Sequence, residues 1–109
     1  MAVMEPTRSM SADILRALRS SFGIEAVEKP IWREYITVRE GESHNKMHYF
    51  VVFKIDDDTY VAANAYGRIG YNPKVVDLGE FKTKEQALAV AKKKLSGKLA
   101  KGYKVTPLN

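Results

Sequence analysis

Within five residues, Tyr66-Gly67-Arg68-Ile69-Gly70, the chain places an aromatic ring, a guanidinium and two glycines. The glycines permit positive φ on both sides of Arg68. A turn of that kind presents backbone N–H groups, which can form an anion-binding concavity. Arg68 adds a planar fork of donors suited to phosphate oxygens. Tyr66 adds a flat ring that can lie against a sugar or a base. These are the parts needed to grip a phosphate and its nucleotide. They are also the parts of any Gly-rich hairpin that exposes an arginine, so local chemistry leaves both readings open.

Other chemistry is less well supplied. Asp56-Asp57-Asp58 offers clustered carboxylates of the kind hard cations prefer, but its spacing matches no EF-hand loop, and turn chemistry accounts for it. His44 and His48 are the only histidines, four apart in a segment that reads as loop into strand, with no third ligand nearby. The chain has no cysteine, which removes disulfides and thiolate zinc sites. There is no Gly-x-Ser-x-Gly elbow and no Walker loop, and Gly67-x-x-Gly70 alone is far from a dinucleotide fingerprint. Neither catalysis nor a metal or other cofactor is expected. Trp32 reads as a core residue.

Charge is more informative than chemistry here. The net charge is +5. Residues 1–29 contribute nothing to it, since Arg8, Arg16, Arg19 and Lys29 face Glu5, Asp13, Glu25 and Glu28. The excess therefore lies in residues 30–109. Between residues 82 and 104 there are eight lysines and one acid, Glu85. That imbalance suits a polyanionic partner such as nucleic acid, and it equally describes a lysine-rich solvated helix. Lys92, Lys93 and Lys98 are the candidate phosphate contacts in this segment. Successive helical residues are about 100° apart, so Lys92, Lys93 and Lys94 cannot all track one backbone.

The elements that must position these groups follow from periodicity. Residues 1–10 read as loose. Ser11 is a plausible N-cap for a short helix, with Ile14, Leu15, Leu18 and Phe22 on its apolar face and Gly23 at its end. This helix either packs on the main domain or docks a partner protein. Residues 24–30 read as a linker, because Pro30 biases Lys29 away from helix. From Ile31 the period becomes two. "IWREYITVRE", "KMHYFVVFKI" and "TYVAANAYG" read as three strands, "GESHN" as a loop between the first two, and "KVVDLGEF" as a fourth, shorter strand. Asn72-Pro73 marks a turn.

The clearest helix follows. Thr83 and Gln86 fit a capping box, and Ala87, Leu88, Ala91, Leu95 and Leu99 fall on one stripe. Gly97 or Gly102 ends it, and Tyr103 can tuck back. The expected fold is α+β: a small antiparallel sheet with the C-terminal helix on one face, plus a short N-terminal helix. One domain is expected over residues 30–109, preceded by an extension over residues 1–29. No window approaches the roughly 18 apolar residues of a membrane span. With no signal-peptide pattern, a soluble cytoplasmic protein is the simplest expectation.

Several landmarks together resemble a known family. Tyr66-Gly67-Arg68-Ile69-Gly70 resembles the Trp-Gly-Arg-[Ile/Val]-Gly signature of WGR domains. Asn45-Lys46 before Met47-His48-Tyr49-Phe50 is similar to the family's Asn-Lys-aromatic-aromatic entry to its second strand. Phe81 with "TKEQALAVAKKKL" is similar to its Phe-x-(Ser/Thr)-x-x-x-Ala helix entrance, and Lys98 with Gly102-Tyr103 to its closing Lys…Gly-Tyr. Order and spacing agree over roughly residues 32–105. WGR domains occur in the DNA-dependent poly(ADP-ribose) polymerases and in small bacterial proteins.

The resemblance implies a non-catalytic module for DNA, including DNA break ends, or another nucleic acid. In the polymerases the signature tryptophan stacks on a terminal sugar, and the arginine serves the 5′-phosphate or a neighbouring domain. Carried over, these roles fall on Tyr66 and Arg68, the phosphate-end contacts on Asn45 and Lys46, and a close backbone approach on Gly67. No polymerase catalytic domain fits in this chain. A protein-interaction module without DNA binding is the alternative. Two departures stand out. Tyr66 replaces the tryptophan, which weakens stacking by less than the about 1–3 kcal/mol of a base–aromatic stack. Met47-His48 replaces two aromatics, which alters the adjoining pocket.

Overall fold

The computed structural model describes residues 5–39 and 45–107, with side chains from Ala12 onward. Two helices, α1 (Glu5–Phe22) and α2 (Glu25–Glu28), precede four strands: β1 (Pro30–Arg39), β2 (Asn45–Asp56), β3 (Thr59–Arg68) and β4 (Lys74–Phe81). Helix α3 (Lys84–Leu99) and a short strand β5 (Lys104–Val105) complete the chain. The strands form one antiparallel sheet in the order β4-β3-β2-β1-β5. Hairpins link β1 through β4. Helix α3 then carries the chain from the β4 edge to the β5 edge across one face. The molecule is α+β, as expected.

Strand β2 explains the layering. Its residues Met47 to Phe53 are all buried. Successive strand residues point to opposite faces, so a run without alternation requires cover on both sides. Met47, Tyr49, Val51 and Phe53 join Ile14 and Leu18 of α1 and Ala26 of α2 in one core. Val52 joins Ala62, Ala87 and Ala91 in the second core, under α3. The N-terminal helices thus pack on the face opposite α3, and the Phe22 and Phe53 rings meet edge to face at 5.5 Å.

Three expectations need correction. Helix α1 begins at Glu5, not Ser11, so residues 5–10 are helical rather than loose. Pro6 is compatible with this because the first turn has no intrahelical use for its missing N–H. The linker contains the one-turn helix α2, and Lys29 leaves helical geometry (φ −135°, ψ 55°) just before Pro30, as the proline ring requires. A fifth strand pairs with Ile36 and Thr37 of β1. Two residues show no periodicity, so this strand had no sequence signal.

Other local readings hold. Thr83 caps α3, its hydroxyl accepting the Gln86 N–H at 3.2 Å. The helix passes through Gly97 and ends before Gly102. At the β2–β3 hairpin, Asp56 Oδ1 accepts the Asp58 N–H at 3.0 Å, an Asx-turn that accounts for the acidic cluster. The loop residues 40–44, His44 among them, lie outside the described residues.

Candidate nucleic-acid interface

The motif turn is built from three constraints. Gly67 (φ 153°) lets β3 end with its backbone twisted away from the usual strand region. The Tyr71 N–H then donates to the Arg68 carbonyl at 3.1 Å, closing a four-residue turn with Gly70 (φ 93°) at its third position. The Ile69 N–H donates to the Asn45 carbonyl at 2.8 Å, which ties the turn to the start of β2. Ile69 packs into the core shared with α1. A gap of only about 10 Å³ lies there, with Ile14, Ile69 and Gly70 among the residues that line it. Arg68 stays exposed, its guanidinium 5.2 Å from the Tyr71 ring centroid, a stacking that orients the fork.

Tyr66 faces away from the α1-side core, into a groove of about 630 Å³ between the sheet and the C-terminal half of α3. Register explains who else is there. Lys46 lies opposite Arg68, His48 opposite Tyr66, Phe50 opposite Asn64, and Asn64 opposite Val76. All of these line the groove, as does Leu78. Lys94, Lys98 and Tyr103 form the facing wall. Four cations line this groove and no carboxylate does, among the described residues.

His48 organises the floor. Its ring stacks on Tyr66 (5.4 Å, 14°) and on Phe50 (5.6 Å, 9°), and Tyr103 meets it edge-on at 5.3 Å. Its Nδ1–H donates to Asn64 Oδ1 at 3.2 Å. Burial pushes the imidazole pKa down; the Asn64 hydrogen bond opposes this, and the Lys98 ammonium reinforces it. The neutral ring is therefore favoured. Where the family pattern has two aromatics, Met47 enters the α1-side core and His48 keeps a flat ring on the groove side.

The structure brings together Lys46, Tyr66, Gly67, Arg68 and Lys98 among the residues singled out in the sequence. It does not bring the others. Asn45 lends its carbonyl to the turn but lines no part of the groove, and its side-chain oxygen is buried. Lys92 sits with its Nζ 5.9 Å from the centroid of the half-buried Trp32 ring. Lys93 is exposed and outside the groove. Sequence reasoning passed over Lys94, His48, Asn64, Phe50 and Tyr103 as groove residues.

A signal for Lys94 was present. At about 100° per residue, Lys94 and Lys98 fall within about 20° of the Ala87 direction, whereas Leu95 and Leu99 are about 80° and 120° away. The buried stripe of Ala87 and Ala91 thus turns basic toward the C-terminus, and Leu99 is left 38% exposed.

Fold and groove together define a small α+β module with a basic, aromatic-floored cleft. The WGR domain family model matches residues 32–108, and the chain belongs to the WGR domain family. WGR domains are in general non-catalytic modules that bind nucleic acid. Comparisons with curated proteins and with solved structures returned no match. Among the described residues no helix is long and apolar enough to cross a membrane.

Proposed function

We propose that this chain is a non-catalytic nucleic-acid-binding module that holds a DNA backbone, or a 5′-phosphorylated DNA end, at the groove. One observation carries the reading: Lys46, Arg68, Lys94 and Lys98 converge on one aromatic-floored cleft without a carboxylate among the described lining residues. Such a cluster gains from releasing phosphate counterions. Arg68, held on Tyr71, supplies the fork for phosphate oxygens. Tyr66, stacked on His48, supplies a ring for the adjoining sugar or base. Among the described residues no element is shaped to read base edges in the major groove, so sequence preference is not expected.

The alternative is a protein-interaction module that docks a partner through the N-terminal helix or the Tyr66–Gly70 edge; two apolar residues of that helix are already engaged within the chain. Ile14 and Leu18 are already buried against the sheet, 2% and 0% exposed.

The test is fluorescence anisotropy with labelled 5′-phosphorylated and 5′-hydroxyl DNA at two salt concentrations. Binding should weaken steeply with salt and favour the phosphorylated end. Arg68→Ala should cost about tenfold or more, the scale of one or two hydrogen bonds to a charged group. Absence of binding at low salt would refute the proposal. Binding indifferent to Arg68→Ala would move the site away from the motif turn.

A further inference from the structure

We infer that the groove receives a single unpaired nucleotide carrying a 5′-phosphate, with its base inside the cleft and its phosphate at the Lys46–Arg68 end. This rests on the nucleic-acid reading above and narrows it to a ligand class. The first ground is shape. About 630 Å³ lies within the roughly 300–1,000 Å³ of pockets that enclose small molecules. A duplex is read the other way round, by protein elements inserted into its grooves. Here the protein is the concave partner, and a concave site of this size suits a nucleotide taken out of the stack.

The second ground is the distribution of chemistry along the cleft. Lys46 and Arg68 face each other at one end of the β2–β3 ladder. Phe50, Asn64 and Val76 form a row further along the same face. Four residues separate Lys46 from Phe50, about 13 Å at the rise of a strand. Along the sheet floor the charged pair thus lies at one end and apolar residues at the other, while Lys94 and Lys98 line the facing wall. Phosphate binding alone gives no reason for that apolar end, where Val76 on β4 is 38% exposed. A base has that character: two π-faces without charge, and a polar edge. The His48–Asn64 pair lies between the two ends. With His48 Nδ1–H given to Asn64 Oδ1, the pair keeps the Asn64 amide N–H groups as donors and His48 Nε2 as an acceptor. That is sufficient to hydrogen-bond the edge of a base.

An unpaired nucleotide can be free or can end a strand, and the experiment separates these. Three probes carry the same 5′-phosphate: deoxyadenosine 5′-monophosphate, a duplex with a short 5′ overhang, and a blunt duplex with the same number of phosphates as the overhang duplex. Matching the phosphates equalises the counterion contribution. The overhang duplex should bind at least tenfold more tightly than the blunt one. Val76→Trp, at an exposed edge-strand position that lines the cleft, should fill the apolar end and bring overhang-duplex affinity down to that of the blunt duplex.

Free mononucleotide binding as tightly as the overhang would support the pocket and assign it to a free nucleotide. Blunt duplex binding as well as or better than both other probes would overturn the inference and leave the proposed function standing. A preference that survives in folded Val76→Trp would also overturn it. Should that variant fail to fold, the three-probe comparison on the wild type decides alone. No binding of any probe at low salt would overturn both readings.

Discussion

Tyr66 does not meet the groove alone. Its ring rests on His48, which rests on Phe50, so the smaller ring at the signature position is one end of a three-ring row. The middle ring can ionise. Burial among the rings of Tyr66, Phe50 and Tyr103 disfavours its charged form, Asn64 on β3 favours it, Lys98 on α3 disfavours it, and the net direction is down. The unfolded chain therefore binds a proton more readily than the folded one. Stability from His48 is complete above the ordinary histidine value of about 6.5 and is lost as pH falls from there through the lower folded value. Thermal melts should show a transition temperature that drops between pH 7 and pH 5. His48→Phe should flatten that drop, whatever it does to the midpoint at pH 7. It also removes the partner of the buried Asn64 amide, a separate and pH-independent cost of about 1–3 kcal/mol. An unchanged pH slope in His48→Phe would show that His48 is not the group responsible.

Among the elements, α1 has the largest consequence for the site. It lies outside the residues matched to the family, 32–108, yet Ile14 belongs to the core that Ile69 of the motif turn packs against. Ile14→Ala should destabilise the protein by about 2–5 kcal/mol, the usual cost of truncating a fully buried large aliphatic, measured by urea denaturation. A loss under about 0.5 kcal/mol, the range of ordinary surface substitutions, would mean that the helix does not hold its place on the sheet. Much of this architecture was legible in the sequence. Alternation gave β1, aromatic and β-branched content gave β2, and the Thr83–Gln86 box gave the start of α3. The apolar stripe of α1 showed that the helix needed a surface but not which one. The unbroken buried run of β2 did contain that answer, since it demands cover on both faces. The early start of α1 and the existence of β5 were not legible, because neither rests on a hydrophobic period. The groove was legible in part: the motif turn stands out as chemistry, but its partners Lys94, Lys98 and Tyr103 are distant in sequence and join it only because α3 crosses the sheet.

At the scale of the whole molecule the question is whether the charge excess acts as a diffuse field or through the groove. The sequence places the excess in residues 30–109 and concentrates lysine near the C-terminus. The fold divides those lysines. Lys94 and Lys98, one helical turn apart, face the cleft, while Lys92 lies by Trp32 and Lys93 faces solvent. Two double variants therefore remove the same charge from different places. Lys94→Gln/Lys98→Gln and Lys92→Gln/Lys93→Gln each lower the net charge by two, so any diffuse attraction falls equally in both. If the groove lysines neutralise phosphates directly, the first variant should reduce the slope of log affinity against log salt by about 1.4–1.8. That figure is two contacts at about 0.7 each for a single strand or 0.9 for a duplex. The second variant should leave the slope within about 0.5 of wild type. Anisotropy titrations between 50 and 200 mM salt read both. Equal reductions in the two variants would mean that nucleic acid responds to the charge of the whole helix, and the groove would lose its standing as the binding site.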